Sequence, residues 1–264
     1  MFFQSGTDGK PLHAGLAARN GVWAYELLQH TSLRTSIKPF DPERGWFKTI
    51  GNITVTSNDI ASRWLAPGQL IDPGLWMKVH PYCSAAICGA EAAEIVAHRI
   101  YTSDSFLWDE IDRVTVHFPP GADVALRYTS PSTGREGQFS IEYVVYQVLA
   151  YGVVQDDLFK VDTIDQKVRD CMSHIERVYD LPKVSQTERI TKVTVTLKNG
   201  DTFTETVNNP KGSPKNPLNL EDIRIKLGLI LEADQIDRVI EAFTHTDKVE
   251  SFLQTLRKEG VLHV

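Results

Sequence analysis

The sequence predicts an α+β fold, with helical segments towards both ends of the chain and strands confined to the middle. Apolar residues recur at helical spacing over 11–30, 84–99 and 140–151, the pattern of helices that bury one face. Apolar and polar residues alternate instead at 113–118 and 193–207, which is typical of half-buried strands. The predicted order is therefore a helix, a mixed middle and a group of helices.

The first predicted helix, 11–30, is unusually apolar. Its polar residues Arg19, Glu26 and Gln29 share one narrow stripe, and apolar residues cover the rest of its surface. Such a helix needs burial on most sides. Because only ten residues precede it, we expect its cover to come from a segment upstream or from a partner.

Residues 31–76 are interpreted as an irregular connector, with turn signals at Pro39, Pro42, Pro67 and Pro73 and a short helix near 58–65. Three helices are predicted in the middle of the chain, at 84–99, at 140–151 with Gly152 closing it, and at 163–179.

Two strands are predicted at 113–118 and 124–129. A hairpin is predicted from 193–197 and 203–207, because the Asn199-Gly200 pair between them suits a type I′ turn.

The stretch 210–217 contains three prolines and one glycine, which marks a boundary between structural units. After it, Asn219 is placed to cap a helix, and two short amphipathic helices are predicted around 236–243 and 249–256.

Charge and composition exclude several classes of function. The 264 residues include 28 Lys and Arg against 34 Asp and Glu, a formal net charge of −6, so the chain lacks the basic footprint of a protein that binds nucleic acid or an anionic membrane. No uninterrupted apolar run is long enough for a transmembrane helix. Three cysteines are too few for a disulfide framework, which favours a cytoplasmic protein.

Common catalytic and metal-binding signatures are absent from the sequence. It contains no His-Glu-x-x-His, G-x-S-x-G, G-x-G-x-x-G or Cys-x-x-Cys motif. Cys83 and Cys88 lack a partner pair of histidines, so buried thiols are favoured over a zinc site. The G-T-D-G-K stretch at 6–10 is not a phosphate loop, since Pro11 follows where Ser or Thr should hold magnesium.

Two lysines each lie near the start of a predicted helix, beside a proline and a histidine. The stretches are K-P-L-H at 10–13 and K-V-H-P at 78–81. A lysine in this position can add its charge to the free N–H groups of a helix and bind a carboxylate. For Lys10 and Lys78 the alternative is a solvated surface lysine, and for His13 and His80 it is a structural histidine.

Five segments, in order, resemble motifs of the MmgE/PrpD family. They are K-P-L-H-A-G-L-A-A at 10–18, E-R-G-W-F at 43–47, M-K-V-H-P-Y-C at 77–83, T-G-R-E-G-Q-F-S-I-E-Y at 133–143, and the pair N-G at 199–200 with P-K-G-S-P-K-N-P-L at 210–218. Each segment alone is moderately specific, but all five in this order make a chance match improbable.

The resemblance implies a large all-helical domain with an inserted α+β lid domain. On that plan, residues 1–75 are a helical-domain segment and connector, 76–208 form the lid, and 209–264 return to the helical domain. The N-terminal helical portion of the family would not be in this chain, which would then hold a remnant of the helical domain. This would explain the uncovered apolar helix at 11–30.

The resemblance also implies a chemistry. Members act on di- or tricarboxylates and remove a proton or a carboxylate next to a carbonyl carbon, without a metal or other cofactor. Such steps need cations to hold carboxylates and to spread developing enolate charge. By resemblance, Lys10 and Lys78 are expected to be the catalytic lysines, in the cleft between helical domain and lid. His13 and His80, which lie beside them, are expected to contact the substrate, although His80 has no counterpart in the family pattern.

The acid and base of this chemistry are harder to place. The aspartate and histidines that do this work in the family belong to the N-terminal helical portion, and histidines of its lid would fall near Cys83 and Ile87. The lid tyrosine of some members has its nearest counterpart in Tyr128.

Several functions stay open on this evidence. The first is a hydro-lyase that removes water from 2-methylcitrate, alone or as one part of a split enzyme. Decarboxylation of cis-aconitate and epimerisation of iminodisuccinate are alternatives within the family. A further alternative is a catalytically incomplete interaction or regulatory subunit. The partners expected are a small carboxylate and either a second copy of the chain or a chain that carries the helical half, but neither nucleic acid nor a membrane.

Overall fold

The computed structural model describes residues 7–62, 68, 70–101, 108–185, 188–245 and 249–260. The chain divides into two compact units, Thr7–Leu75 and Trp76–Val264. No helix among the described residues is both long enough and apolar enough to cross a membrane.

The first unit is dominated by helix α1, Gly9–His30, which confirms the predicted helix. None of its residues is buried, and Val22, Trp23 and Tyr25 are each exposed by 60% or more. An apolar helix with this much exposed surface is unusual in a soluble monomer and is typical of an interaction surface.

Two shorter α-helices follow among the described residues of the first unit. Helix α2, Trp46–Gly51, lies inside the stretch expected to be irregular. Gly45 is its N-cap residue, and a Cβ atom on Gly45 would lie 2.4 Å from the Asp41 backbone nitrogen. Helix α3, Ser57–Ala61, begins with a Thr56 capping box and matches the start of the helix predicted near 58–65. Residues 63–65 lie outside the described residues.

A four-stranded mixed sheet forms the centre of the second unit. Its strands are β1 (Ile111–His117), β2 (Ile175–Val178), β3 (Thr191–Leu197) and β4 (Thr202–Val207). The order across the sheet is β2-β1-β3-β4; β1 pairs with β2 in parallel and with β3 antiparallel, and β3 pairs antiparallel with β4. Alternate residues such as Val193 and Val195 are fully buried, as the alternating pattern predicts.

Four helices belong with this sheet, and they are α4 (Ile87–Ile100), α5 (Gly134–Gly137), α6 (Ile141–Tyr151) and α7 (Gln166–Met172). Helix α4 packs on β3, β4 and α6. Its small buried residues Ala92 and Ala93 allow this close approach, and a Cβ atom on Gly89 would lie 2.7 Å from Ile141 Cδ1. Helix α6 begins at the Ser140 cap and ends at Gly152, as predicted.

Three helices follow the sheet among the described residues, and they are α8 (Leu220–Gly228), α9 (Ala233–His245) and α10 (Val249–Lys258). All three were predicted. Asn219 and Asp222 form the capping box of α8, and the rings of Phe243 and Phe252 pack between α9 and α10 with centroids 5.5 Å apart.

The predicted strand at 124–129 is wrong, because that stretch forms turns and irregular backbone. The carbonyls of Leu126 and Tyr128 accept hydrogen bonds from the Arg177 guanidinium at 2.7 and 3.4 Å instead of joining a sheet. Val124 is 68% exposed, so the alternating pattern here does not mark a buried face.

The predicted helix at 163–179 is right only in its first half. Helix α7 ends at Met172, and β2 follows it at Ile175–Val178. The apolar spacing fits a helix, but pairing with the exposed edge of β1 satisfies the backbone of this stretch and overrides the local pattern.

The hairpin at 193–207 is confirmed, but its turn is not type I′. Gly200 donates its backbone N–H to the Leu197 carbonyl at 2.9 Å, and of the turn residues Gly200 alone has a positive φ, 92°. A type I′ turn needs positive φ at both central residues. The Asn199 side chain accepts the Asp201 N–H at 2.9 Å, and Leu197 donates its N–H to the Asp201 carbonyl at 2.8 Å, which closes a three-residue loop.

The T-G-R-E-G-Q-F-S-I-E-Y segment has a structural explanation. Thr133 caps α5 and Ser140 caps α6. Both glycines permit close contacts, since a Cβ atom on Gly134 would lie 2.4 Å from the Leu158 carbonyl oxygen, and one on Gly137 would lie 2.2 Å from a ring carbon of Tyr143.

A buried cluster around Arg177 joins β2 to α6. Its Nε and Nη2 atoms donate to the two oxygens of Glu142, each at 2.7 Å, and Nη1 donates to Asp123 at 2.9 Å. The Tyr179 hydroxyl also donates to Asp123, at 2.8 Å. Because Glu142 is only 3% exposed, its charge depends on this guanidinium for compensation.

Arg177→Met should therefore destabilise the protein by about 3–5 kcal/mol, because it leaves a buried carboxylate without its cation. Urea denaturation checks this. The control is Arg113→Met, which removes an exposed pair with Glu176 at 3.9 Å and should cost less than about 1 kcal/mol. Equal losses for the two variants would contradict the role of the buried cluster.

The connection at 210–218 is attached to the residues just before Lys78. Met77 donates its backbone N–H to the Gly212 carbonyl at 2.8 Å, and Gly212 donates to the Asn216 carbonyl at 2.8 Å. Gly212 has a φ of 85°, and a Cβ atom there would lie 2.0 Å from the Met77 carbonyl oxygen. No other residue type fits this position without movement of the backbone.

Gly212→Ala should lower the free energy of unfolding by more than the left-handed backbone alone explains. The matched control is Gly121→Ala, since Gly121 has a φ of 82° and open space around its Cβ position. Both variants should lose about 1–2 kcal/mol from the backbone conformation, and Gly212→Ala a further 1–3 kcal/mol, roughly, from the steric clash. Equal losses in urea denaturation would show that the contact with Met77 is dispensable.

Candidate functional site

A cavity of about 250 Å³ lies in the second unit. It is bounded by the segment 78–82, by α4, by the end of α6, by the connection 210–218 and by α8. Its ionisable lining includes two lysines, a histidine and three carboxylates, namely Lys78, Lys211, His80, Glu91, Glu94 and Asp222. This density of charge in one concave site is typical of a binding or catalytic site for a polar ligand.

Lys78 is held in place through both its backbone and its side chain. Its Nζ donates to the Tyr82 carbonyl at 2.7 Å, and its own carbonyl accepts a hydrogen bond from the Lys226 ammonium on α8. Together with the Met77–Gly212 contact, these bonds fix a cation at the wall of the cavity. A fixed ammonium group binds an anion at a lower entropic cost than a mobile one.

His80 forms a hydrogen bond with Asp156, from the short 3₁₀ turn at Asp156–Phe159. Its Nδ1 lies 2.8 Å from Asp156 Oδ1, and the two side chains are 19% and 18% exposed. The His80 ring also stacks near the Tyr82 ring, with centroids 6.0 Å apart and planes 19° apart. Burial raises the pKa of Tyr82, with smaller contributions from Glu94 and Glu91, so its hydroxyl stays protonated at neutral pH.

Glu91 is a half-buried carboxyl on the α4 wall. The Lys211 backbone N–H donates to its Oε2 at 2.6 Å. Burial raises the pKa of Glu91, and the Lys211 N–H opposes this shift. A carboxyl with a raised pKa stays protonated closer to neutral pH and can then donate a proton.

Lys211 brings a second ammonium group to the cavity. Its Nζ lies 2.9 Å from Asp222 Oδ2, which lowers the pKa of Asp222 with help from the Asn219 N–H. Since Asp222 also caps α8, this ion pair ties the connection 210–218 to that helix. The Lys211 charge is therefore partly offset before any ligand binds.

The comparisons with known proteins agree with this architecture. Residues 80–242 match the model of the MmgE/PrpD C-terminal domain. The chain belongs to the MmgE/PrpD family. It is 25% identical over 262 residues to a cis-aconitate decarboxylase from Homo sapiens, an alignment that covers 96% of this chain and 53% of that protein.

A cis-aconitate decarboxylase from Mus musculus is 27% identical over 233 residues, which are 83% of this chain and 45% of that protein. The chain therefore spans about half the length of the curated relatives it matches. The predicted family and the predicted α+β class, a mixed four-stranded sheet with helices, are both confirmed.

The four site residues predicted from the sequence fall in both units. Lys78 and His80 line one cavity. Lys10 and His13 are exposed on α1 in the first unit, so their pairing with Lys78 stays a prediction.

Sequence reasoning did not select five ionisable residues at the site, namely Glu91, Glu94, Asp156, Lys211 and Asp222. Lys211 had a usable signal, since it stands inside the P-K-G motif. The other four are brought to the site by tertiary packing.

The structure also shows where Ile87, Tyr128 and the three cysteines lie. Ile87 lines the cavity at a position where the family resemblance suggested a histidine. Tyr128 does not line the cavity, and its carbonyl accepts a hydrogen bond from Arg177.

All three cysteines are free thiols. Cys88 is buried, and burial raises its pKa to about 12, whereas Cys83 is only partly buried, so the expectation of two buried thiols holds for Cys88 alone.

The raised pKa of Glu91 predicts a pH-dependent stability. The folded state binds the carboxyl proton of Glu91 more tightly than the unfolded state does. The stabilisation that this protonated carboxyl contributes is therefore present at acid pH and is lost as pH rises above about 4.3. The free energy of unfolding of Glu91→Gln, minus that of the wild type, should therefore increase as pH rises towards neutral. Urea denaturation at a series of pH values measures it.

Glu136→Gln is the control for the sign of this effect. Hydrogen bonds from the Ser132 N–H and hydroxyl lower the pKa of Glu136. The stabilisation that ionised Glu136 contributes is present above about pH 4.3 and is lost as pH falls below that value. The free energy of unfolding of Glu136→Gln, minus that of the wild type, should therefore decrease as pH rises. Two slopes of the same sign would contradict the assignment of Glu91.

Proposed function

We propose that this chain is the lid-bearing part of a cofactor-independent lyase that acts on a citrate-like di- or tricarboxylate. The observation that carries the proposal is the fixed Lys78 ammonium in a cavity that also holds His80 and Lys211. Membership in the MmgE/PrpD family and similarity to two proteins named cis-aconitate decarboxylase support it.

The physical case for Lys78 rests on the charge that develops during such a reaction. Removal of a proton or of CO₂ next to a carboxylate-bearing carbon leaves an electron pair that spreads onto carboxylate oxygens. A pre-positioned cation stabilises this charge without reorganisation of solvent, which is the largest single contribution in many enzymes. Lys10 is proposed as the second catalytic lysine, and His13 and His80 as substrate contacts.

Two reactions are compatible with this site. Elimination of water from 2-methylcitrate is the reaction that the sequence motifs first indicated. Decarboxylation of cis-aconitate is favoured by the names of the two relatives. Both reactions need carboxylate binding and one proton transfer at carbon, so the same lysines serve either.

The cover of α1 belongs to this proposal. The chain covers 53% of the human relative, and α1 exposes Val22, Trp23 and Tyr25. We infer that α1 is covered in the active assembly by the part of the relatives' length that these residues do not span, or by a second copy. The alternative is a non-catalytic subunit that uses the same surface.

Turnover assays on the purified chain separate these possibilities. The chain is incubated with 2-methylcitrate or cis-aconitate, alone and with a polypeptide that carries the other half of a relative. We expect activity with that polypeptide present, on one of the two substrates. Activity under no condition, with the two polypeptides shown to associate, would favour the non-catalytic subunit.

Lys78→Ala should weaken the binding of citrate by about 10–100-fold, the equivalent of losing one hydrogen bond to a charged group, and Lys10→Ala should weaken it similarly. Titration calorimetry measures both. The control is Lys160→Ala, because Lys160 is 75% exposed, pairs with Asp157 and does not line the cavity. Unchanged affinity in both test variants would remove the lysines from the site.

A further inference from the structure

The lysines explain how a carboxylate is held but not how a proton moves. An ammonium group at its ordinary pKa is a poor acid and its base form is scarce at neutral pH. Elimination and decarboxylation both need a group that can exchange a proton with carbon. Among the described residues, His80 is the one histidine that lines the cavity.

The contact with Asp156 sets which nitrogen of His80 carries a proton. An ionised carboxylate only accepts hydrogen bonds, so at 2.8 Å the His80 Nδ1 must be the donor. In the neutral ring the other nitrogen, Nε2, then holds a lone pair. Nε2 has no hydrogen-bond partner among the residues that the structure describes.

The positions of His80 and Asp156 relative to the cavity support the same assignment of the two ring nitrogens. His80 lines the cavity, whereas the Asp156 side chain is not part of the lining. The carboxylate therefore contacts Nδ1 from outside the cavity lining, and Tyr82 supports the ring through the stacked contact. A carboxylate that binds one imidazole nitrogen in this manner fixes the tautomer and the orientation of the ring.

We propose that His80, through Nε2, exchanges a proton with the carbon skeleton of the bound polycarboxylate, and that Asp156 is its positioning residue. The inference rests on the proposed function, since it assigns the proton transfer in that same site. It needs no further reactant, because the proton moves between Nε2 and substrate carbon.

The step balances for either reaction. In elimination, Nε2 takes the proton from carbon, the C–H electron pair becomes the C=C bond, and the C–O bond breaks. The departing hydroxide takes a proton from solvent and leaves as water, and the imidazolium then returns its own proton to solvent. In decarboxylation, the C–CO₂ bond breaks, its electron pair stays on the organic fragment as an extended enolate, and the imidazolium returns a proton from Nε2 to carbon.

The two reactions therefore need opposite starting forms of His80. Elimination needs the neutral ring and should slow as pH falls, whereas decarboxylation needs the imidazolium and should slow as pH rises. Other ionisable groups contribute to any measured pH profile. Asp156 contacts His80 directly, and the groups that line the same cavity are Lys78, Tyr82, Glu91, Glu94, Lys211 and Asp222.

The structure offers a matched control pair outside the cavity. His117 Nδ1 lies 2.8 Å from Asp180 Oδ1, the same contact as in His80 and Asp156, but His117 does not line the cavity. Asp180→Asn therefore tests what the loss of a carboxylate–histidine contact does elsewhere in this chain.

The test combines turnover with nitrogen NMR on the chain labelled with ¹⁵N-histidine. In turnover, His80→Gln should lower kcat by about 100-fold or more while citrate still binds. Added imidazole should restore part of the activity of His80→Ala. Asp156→Asn should lower kcat at least tenfold with KM changed less than twofold, Asp156→Glu should recover part of the loss, and Asp180→Asn should resemble the wild type.

In NMR, wild-type His80 should show a protonated Nδ1 and an unprotonated Nε2, and citrate should shift the Nε2 signal. Asp156→Asn should lose this tautomer preference. The readout applies to the chain alone, so it decides the inference whether or not turnover needs a second polypeptide.

The outcomes separate the two proposals. Citrate that binds in a Lys78-dependent manner without a shift at His80 Nε2, or a His80→Gln variant with wild-type kcat, would overturn the role of His80 and leave the proposed function intact. Failure of citrate and cis-aconitate to bind the wild type would overturn the proposed function itself, and the role of His80 with it.

Discussion

The backbone contact between Met77 and Gly212 is the constraint on which the cavity depends. It joins the segment that carries Lys78 to the connection that carries Lys211, although the two are far apart in the sequence. Once they are joined, the Lys211 N–H reaches Glu91 and its ammonium reaches Asp222. The positive φ of Gly212 is therefore the local feature that lets one short connection position two cations and two carboxylates.

The charges of the cavity are largely offset by one another before a ligand arrives. Lys211 faces Asp222, and His80 faces Asp156. Such pairing limits the cost of placing ionisable groups in a partly buried site. It also means that a polycarboxylate must compete with internal partners, so selectivity depends on reaching several cations together rather than on net charge.

Sequence patterns predicted the elements whose ends carry local signals. Helix α6 has its Ser140 cap and its Gly152 end, and α8 has its Asn219 cap. The strand β2 could not be found in this way, because its apolar spacing fits a helix and only the edge of β1 decides the outcome. The His80–Asp156 contact joins residues 76 positions apart, a proximity that no local pattern encodes.

Three of the segments that resemble MmgE/PrpD motifs divide into two kinds by what their residues contact. The T-G-R-E-G-Q-F-S-I-E-Y segment supplies caps, close glycine contacts and the Glu142 partner of Arg177, all of which hold the fold together. The segments around Lys78 and Gly212 meet at the cavity instead. A chain could therefore keep the first kind for stability alone, so the case for catalysis depends on the second kind and on a group that can move a proton.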